Sequence, residues 1–127
     1  MKKIISVDFD GVIHGYQSGW KGVDVIPDPP VDGAVEWLFE MLMNDELEIC
    51  IFSARSRDSA GRNAMLCWLR NEFEKVGLDN SMTDRISFPI YKPPAFLTID
   101  DRAMTFSGVF PDIDEIMDFV TWQNQEV

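Results

Sequence analysis

Short apolar runs alternate with stretches of helical periodicity along this chain, and this alternation constrains its fold more than any other feature. The apolar runs predict strands, in chain order, over residues 3–8, 47–52, 85–88 and 96–99, with a short edge strand over 104–110. The periodic stretches predict helices over residues 31–44, 57–76 and 111–122. This order predicts an α/β fold with a mainly parallel sheet covered by helices on both faces.

The length and composition indicate one domain, residues 1–127, with a single core. No stretch is long and apolar enough to span a bilayer. The first strand begins almost at Met1, and a cleavable signal peptide would remove it, so we expect none. Cys50 and Cys67 lie in an apolar strand and in a helix, so we expect both to be reduced. We therefore expect a cytoplasmic protein that does not bind membranes.

The formal net charge of −11 has two interpretations. It describes either a solvated acidic surface or, in part, an acidic pocket that receives a cation. It argues against extended binding along a nucleic-acid backbone, which requires Lys and Arg to neutralise phosphates. A small basic patch that holds one terminal phosphate remains compatible with it.

The motif Asp8-Phe9-Asp10-Gly11 follows the first apolar run directly. Side chains two positions apart in a strand point the same way, so two carboxylates are expected side by side. Their repulsion is relieved by a cation, and Mg²⁺ is the hard cation that suits oxygen ligands. Gly11 permits a sharp turn or a close approach of the backbone to a ligand. A calcium loop is disfavoured, since Val12-Ile13-His14 lacks the further ligands that such loops need.

Polar residues also follow two later strands. Ser53 ends the second run and Asp100 ends the fourth. Ligands of parallel α/β sheets bind at the carboxyl ends of strands, so we expect these residues to meet Asp8 at one edge. Lys92 precedes the fourth strand and offers a positive charge, and Asp101 offers a further carboxylate.

These residue types suit the hydrolysis of a phosphomonoester. Asp8 could attack phosphorus, and Asp10 could protonate the leaving oxygen and later activate water. Asp100, with Asp101, could hold Mg²⁺ against the phosphoryl group. The Ser53 hydroxyl and the Lys92 ammonium could stabilise charge on the phosphoryl oxygens.

Four elements of this sequence resemble, in order and approximate spacing, the four motifs of the haloacid dehalogenase (HAD) superfamily. They are the motif at 8–11, Ser53 after Ile51-Phe52, Lys92, and Asp100-Asp101. The presence of a second acid, Asp10, two residues after Asp8 resembles the first motif of the phosphatase and phosphotransferase branches of this superfamily. The resemblance implies a three-layer Rossmann-like fold and an aspartyl-phosphate on Asp8. It also implies a metal held by Asp8, the backbone carbonyl of Asp10 and one of the late acids.

Two details extend the resemblance. Ser53-Ala54-Arg55 and Asp100-Asp101-Arg102 look like elements of the phosphatase domains of polynucleotide kinases, whereas residues 14–30 are similar to small HAD-like proteins of phages and prophages. Gly11, Ala54 and Arg55 are accordingly candidates for binding substrate. His14 and Lys21, on the irregular segment that forms a flap in this superfamily, are two further candidates.

Many members of this superfamily carry a cap domain, but the spacing here leaves no space for one. Roughly 40 residues separate Asp10 from Ser53, and a helix of the core fills part of that interval. We expect an open site that admits a phosphorylated small molecule or a nucleic-acid end, unless an oligomeric neighbour covers it.

Two alternative functions are a phosphoacceptor domain of the receiver type and a catalytically silent binding module. The late position of the Asp-Asp pair disfavours the receiver.

Overall fold

The computed structural model describes residues 2–125, which form an α/β arrangement built on a small parallel sheet. The sheet has the strand order β2-β1-β3, and β1 pairs in parallel with both neighbours. Its strands are β1 (Lys3–Val7), β2 (Leu47–Ile51) and β3 (Leu97–Ile99). The helices are α1 (Ala34–Leu42), α2 (Ser59–Lys75) and the short α3 (Ile113–Met117), with 3₁₀ turns at Asn80–Arg85 and Trp122–Asn124.

The core lies between one face of this sheet and the two longer helices. Alternation along the strands places the buried side chains of Ile5, Val7, Ile49 and Ile51 on the same face. The apolar faces of α1 and α2 join them in one buried cluster, and Phe39 of α1 meets Phe73 of α2 edge to face at 6.4 Å. Packing against this single face fixes β1, whose end carries Asp8.

The beginning of α2 sets the geometry of the loop after β2. Asp58 is the N-cap, and its carboxylate accepts a hydrogen bond from the Ala60 N–H at 3.0 Å. This cap satisfies a donor that the first turn leaves unpaired. Residues 52–57 must therefore connect the end of β2 to a fixed helix start, and this connection carries Ser53 and Arg55.

Three predicted elements differ in the structure. Residues 85–88 do not form a strand, since the 3₁₀ turn extends to Arg85 and leaves only Ser87 to pair with Ile49 and Ile51. Residues 104–110 do not form an edge strand, and Gly108, with a φ of 102°, interrupts that segment. The helix predicted over 111–122 is limited to Ile113–Met117.

The predicted helical layer on the second face of the sheet is not formed by α3. The apolar side chains at helical spacing in the predicted helix over 111–122 are all exposed, namely Ile113, Ile116, Met117 and Val120. Helical periodicity places these side chains on one side of a helix but does not supply a surface for them to cover. Among residues 2–125, no helix combines the length and the apolar character needed to cross a membrane.

Candidate functional site

Three carboxylates meet at the carboxyl ends of β1 and β3. Asp8 follows β1, and Asp100 and Asp101 follow β3. These strands are adjacent and parallel, and the Asp8 N–H donates to the Ile99 carbonyl at 2.9 Å, which extends the pairing to the site. One oxygen from each carboxylate lies within 4.8 Å of the others. This cluster could hold a metal ion, as the strand-end positions of these acids predicted.

The electrostatics of Asp8 show the cost of this arrangement. Burial is the largest cause that raises its pKa, followed by the negative charge of Asp100 and a hydrogen bond with Asp101, and together they raise the pKa to about 8. The Phe9 N–H, which donates to Asp8 Oδ1 at 2.9 Å, acts in the opposite direction. A bound divalent cation would remove this penalty, so the donor set of three oxygen ligands suits a hard cation.

Gly11 allows the cluster to form. Its φ of +86° lies in the left-handed region, and a Cβ at this position would collide with the carboxylate of Asp101. The Gly11 carbonyl accepts a hydrogen bond from the Trp122 indole N–H at 2.8 Å. Gly11 therefore acts through its backbone, by making space for Asp101 and by fixing the C-terminal segment.

Lys92 lies beside the carboxylates on the second face of the sheet. It lines an open cavity of about 510 Å³ together with Asp8 and Asp100. The remaining walls of the cavity come from Ser6 of β1, Thr98 of β3, Phe52 just after β2, and residues 103–105. The predicted grouping of Lys92 with the strand-end acids is therefore seen in the structure, and the cavity is open enough to receive a phosphoryl group.

Ser53 begins the turn that leaves β2. Its hydroxyl accepts a hydrogen bond from the Arg55 N–H at 3.0 Å, and its own N–H donates to the Ser56 hydroxyl at 2.9 Å. These bonds connect Ser53 to the two residues that follow Ala54 in the turn. Ala54, at its tip, is exposed. The proposed contacts of Ser53 and Ala54 with phosphate stay predictions.

Asp10 belongs to a second group, which is built around Arg55. The Arg55 side chain is completely buried, and its Nε and Nη2 donate to Asp10 Oδ2 and Oδ1 at 3.0 and 3.2 Å. Its Nη1 donates to the carbonyls of Gly22 and Val23 at 2.9 and 2.8 Å, and Trp20 covers the guanidinium at 4.8 Å. The sequence predicted that Arg55 contacts substrate, but its donors point instead to Asp10 and to the irregular segment.

His14 completes this second group. Its Nε2 accepts a hydrogen bond from the Asp28 N–H at 3.0 Å, so the proton of a neutral ring resides on Nδ1. Nδ1 then donates to Asp10 Oδ1 at 2.9 Å. His14 is fully buried, so its predicted contact with substrate gives way to a role in orienting Asp10.

Two predicted site residues, Asp10 and Lys21, lie outside the cluster of Asp8, Asp100 and Asp101. The Asp10 carboxylate is not part of the three-acid cluster, and a metal contact through its backbone carbonyl stays a prediction. Lys21 is exposed, and its predicted contact with substrate stays a prediction. Its positive charge helps to lower the pKa of Asp28, although the hydrogen bonds from Ser18 lower that pKa more.

Sequence reasoning missed Trp122, which reaches the Gly11 carbonyl from the far end of the chain. The sequence carries only a weak indication of this contact. An indole N–H needs a partner when it is partly buried, but the sequence does not say which. The structure thus brings together three carboxylates that could hold a metal ion, and it holds the Asp10 carboxylate separately on Arg55. Comparisons with known protein families, curated proteins and solved structures find no match for this chain.

Proposed function

We propose that this chain is a small, capless HAD-like hydrolase that cleaves phosphomonoesters with the help of Mg²⁺. The observation that carries the proposal is the cluster of Asp8, Asp100 and Asp101, with one oxygen of each within 4.8 Å of the others. Two of these acids, Asp8 and Asp100, line one open cavity together with Lys92. A lone acidic cluster is common on protein surfaces. This cluster differs from such surface clusters in two respects, the raised pKa of Asp8 and the Lys92 ammonium on the same cavity. The carboxylates offer a site for a cation, and the ammonium offers a site for an anion beside it.

The donor set supports Mg²⁺. Asp8, Asp100 and Asp101 would hold the ion through carboxylate oxygens, the ligands that this cation prefers. When bound, the ion would polarise the phosphoryl oxygens and orient them.

Asp8 is the proposed nucleophile. One of its carboxylate oxygens forms a bond to phosphorus while the bond from phosphorus to the ester oxygen breaks, which gives an aspartyl-phosphate and an alkoxide. Lys92 lies on the same cavity and offers a positive charge to the phosphoryl oxygens as their charge increases. Water then attacks phosphorus and releases inorganic phosphate and the free Asp8 carboxylate.

Asp10 is the proposed acid and base. It gives a proton to the leaving oxygen in the first step and takes one from water in the second. Its Oδ1 accepts from both His14 and Arg55, whereas Oδ2 accepts from Arg55 alone. Oδ2 therefore has a lone pair for proton exchange. Arg55 and His14 hold the Asp10 carboxylate in position.

The substrate class follows from the shape and charge of the cavity. It is open, and the described chain places no cap over it, so a bulky phosphoryl donor has access. The net charge of −11 disfavours binding along a polynucleotide. A phosphorylated small molecule or the terminal phosphate of a nucleic acid fits both conditions.

The test is a panel of phosphomonoesters, including nucleotides and oligonucleotides with 3′- or 5′-phosphates, assayed with Mg²⁺ and with EDTA. We expect Mg²⁺-dependent phosphate release that D8N abolishes. The exposed Asp45 provides a matched control, so D45N is expected to retain full activity. Full activity in D8N would refute the mechanism. A phospho-protein stable for hours, without turnover of any ester, would instead favour the receiver-type alternative.

A further inference from the structure

The segment from Ala103 to Val120, here called the apolar arm, exposes an unusual run of large apolar side chains. Its most exposed members are Phe110, Val109, Ile113 and Met117, at 83%, 78%, 77% and 75%. The other large apolar side chains that it exposes are Met104, Phe106, Ile116, Phe119 and Val120. So many exposed large apolar side chains in one segment indicate an interaction site.

Both ends of the apolar arm are fixed at the same place. Asp101, just before the arm, lies against Gly11, and Trp122, just after it, donates its indole N–H to the Gly11 carbonyl. Thr121 is buried between the arm and this anchor. The arm therefore leaves and rejoins the core at one point, which restricts where its apolar side chains can go.

The total surface of the chain points to a missing contact. A compact monomer of 14.5 kDa should expose about 6,900 Å². This chain exposes 8397 Å². The difference, on the order of 1,500 Å², exceeds the roughly 800 Å² that each partner contributes to a standard protein interface.

Shape and charge in the arm favour a second copy of the chain as the partner. Phe106 and Phe110 pack at 4.9 Å and line a groove with Met104 and Val109, and the side chains of Phe110 and Val109 that line it are largely exposed. An isologous contact needs a projection and a groove on the same patch. Residues 103–111 carry no charged side chain, and Glu115 is the one charged residue that lines the groove, so two chains of net charge −11 can meet over residues 103–111 with few like charges at the centre.

We propose that this protein forms a two-fold homodimer through residues 103–111 of the apolar arm. Sedimentation equilibrium between about 1 and 100 μM should give a species of twice the 14.5 kDa monomer mass. Raising NaCl from about 50 to 300 mM should lower the dimer dissociation constant several-fold, because salt screens the repulsion between two acidic chains.

Two variants locate the interface. V109K and F110K place a charge on side chains that are already exposed, so each monomer should fold as the wild type does, with at least tenfold weaker dimerisation. The control is M43K, which adds the same charge at an exposed apolar residue outside the arm and should dimerise normally. Circular dichroism at low concentration checks the fold of each variant.

Three outcomes would overturn the proposal. A wild-type monomer at about 100 μM would mean that the arm contacts a different partner or none. Unchanged dimerisation of V109K and F110K would place the interface elsewhere. Association that continues beyond the dimer as concentration rises would indicate a sticky surface without a closed interface.

Discussion

The buried guanidinium of Arg55 holds the carboxylate of Asp10 through Nε at 3.0 Å and Nη2 at 3.2 Å. The same guanidinium donates to the carbonyls of Gly22 and Val23, so it also ties the irregular segment after β1 to the turn after β2. One side chain thus determines both the orientation of the proposed acid and the position of the segment around it.

Replacing Arg55 should therefore affect stability and activity together. R55L leaves Asp10 without its main partner, and we expect the free energy of unfolding to fall by about 3 kcal/mol. R55K retains the charge but loses the planar fork, so it should fold and yet lose at least tenfold in kcat. Urea denaturation and phosphatase assays measure the two effects.

The control for Arg55 is Arg70, which pairs with Asp84 at 2.7 Å on the surface. R70L should change the free energy of unfolding by less than about 1 kcal/mol, because exposed ion pairs contribute little. Equal losses in R55L and R70L would contradict the role that burial assigns to Arg55.

The raised pKa of Asp8 predicts how stability depends on pH in the absence of metal. Asp8 has a pKa of about 8 in the folded chain against an ordinary value of 3.8. Between these values the folded chain retains a proton that the unfolded chain has lost. The free energy of unfolding should therefore fall as pH rises through this interval and level off above it.

D8N removes the titrating group and should flatten this dependence. In EDTA near pH 8 we expect D8N to be more stable than the wild type by about 1 kcal/mol, since it no longer buries a carboxylate beside Asp100. Chemical denaturation from about pH 5 to pH 9 provides the measurement. D45N should follow the wild-type curve, and a D8N curve that does so as well would contradict the assignment.

Mg²⁺ should stabilise the chain through the same carboxylates. At a concentration about 100 times its dissociation constant, the ion would add about 2.7 kcal/mol to the free energy of unfolding. D100N and D101N should each lose most of that gain, whereas D45N should keep it. Thermal unfolding with and without Mg²⁺ tests this, and an equal response in all four proteins would place the cation elsewhere.

Gly11 and Gly19 form a matched pair for testing close approach at the site. Both have positive φ values, +86° and +74°, but a Cβ would strike Asp101 only at Gly11 and would meet open space at Gly19. G19A should cost about 1 kcal/mol, from backbone conformation alone. G11A should cost more and should also weaken Mg²⁺ binding, as titration calorimetry would show; equal effects would contradict the close packing.

The amino-acid sequence predicted the three-acid cluster because that cluster depends on strand ends. Apolar runs before Asp8 and Asp100 identified two strands, and the alternation with helices made them parallel, which brings their carboxyl ends to one edge. Lys92, which precedes a strand, was grouped with them for a different reason, because phosphoryl chemistry needs a positive charge and because the residue matches a HAD motif. The strand-end inferences need only local patterns and the topology that the patterns imply.

Tertiary structure alone decided the roles of Arg55 and His14 and the exposure of the apolar arm. Both polar residues are fully buried and turned towards Asp10, and burial depends on contacts between segments far apart in the chain, such as Arg55 with Gly22. The periodicity of residues 111–122 predicted a buried helix, yet Ile113 and Met117 stay in solvent. A local pattern specifies which side chains share a face, whereas the surface that covers this face is a property of the whole fold or of its partner.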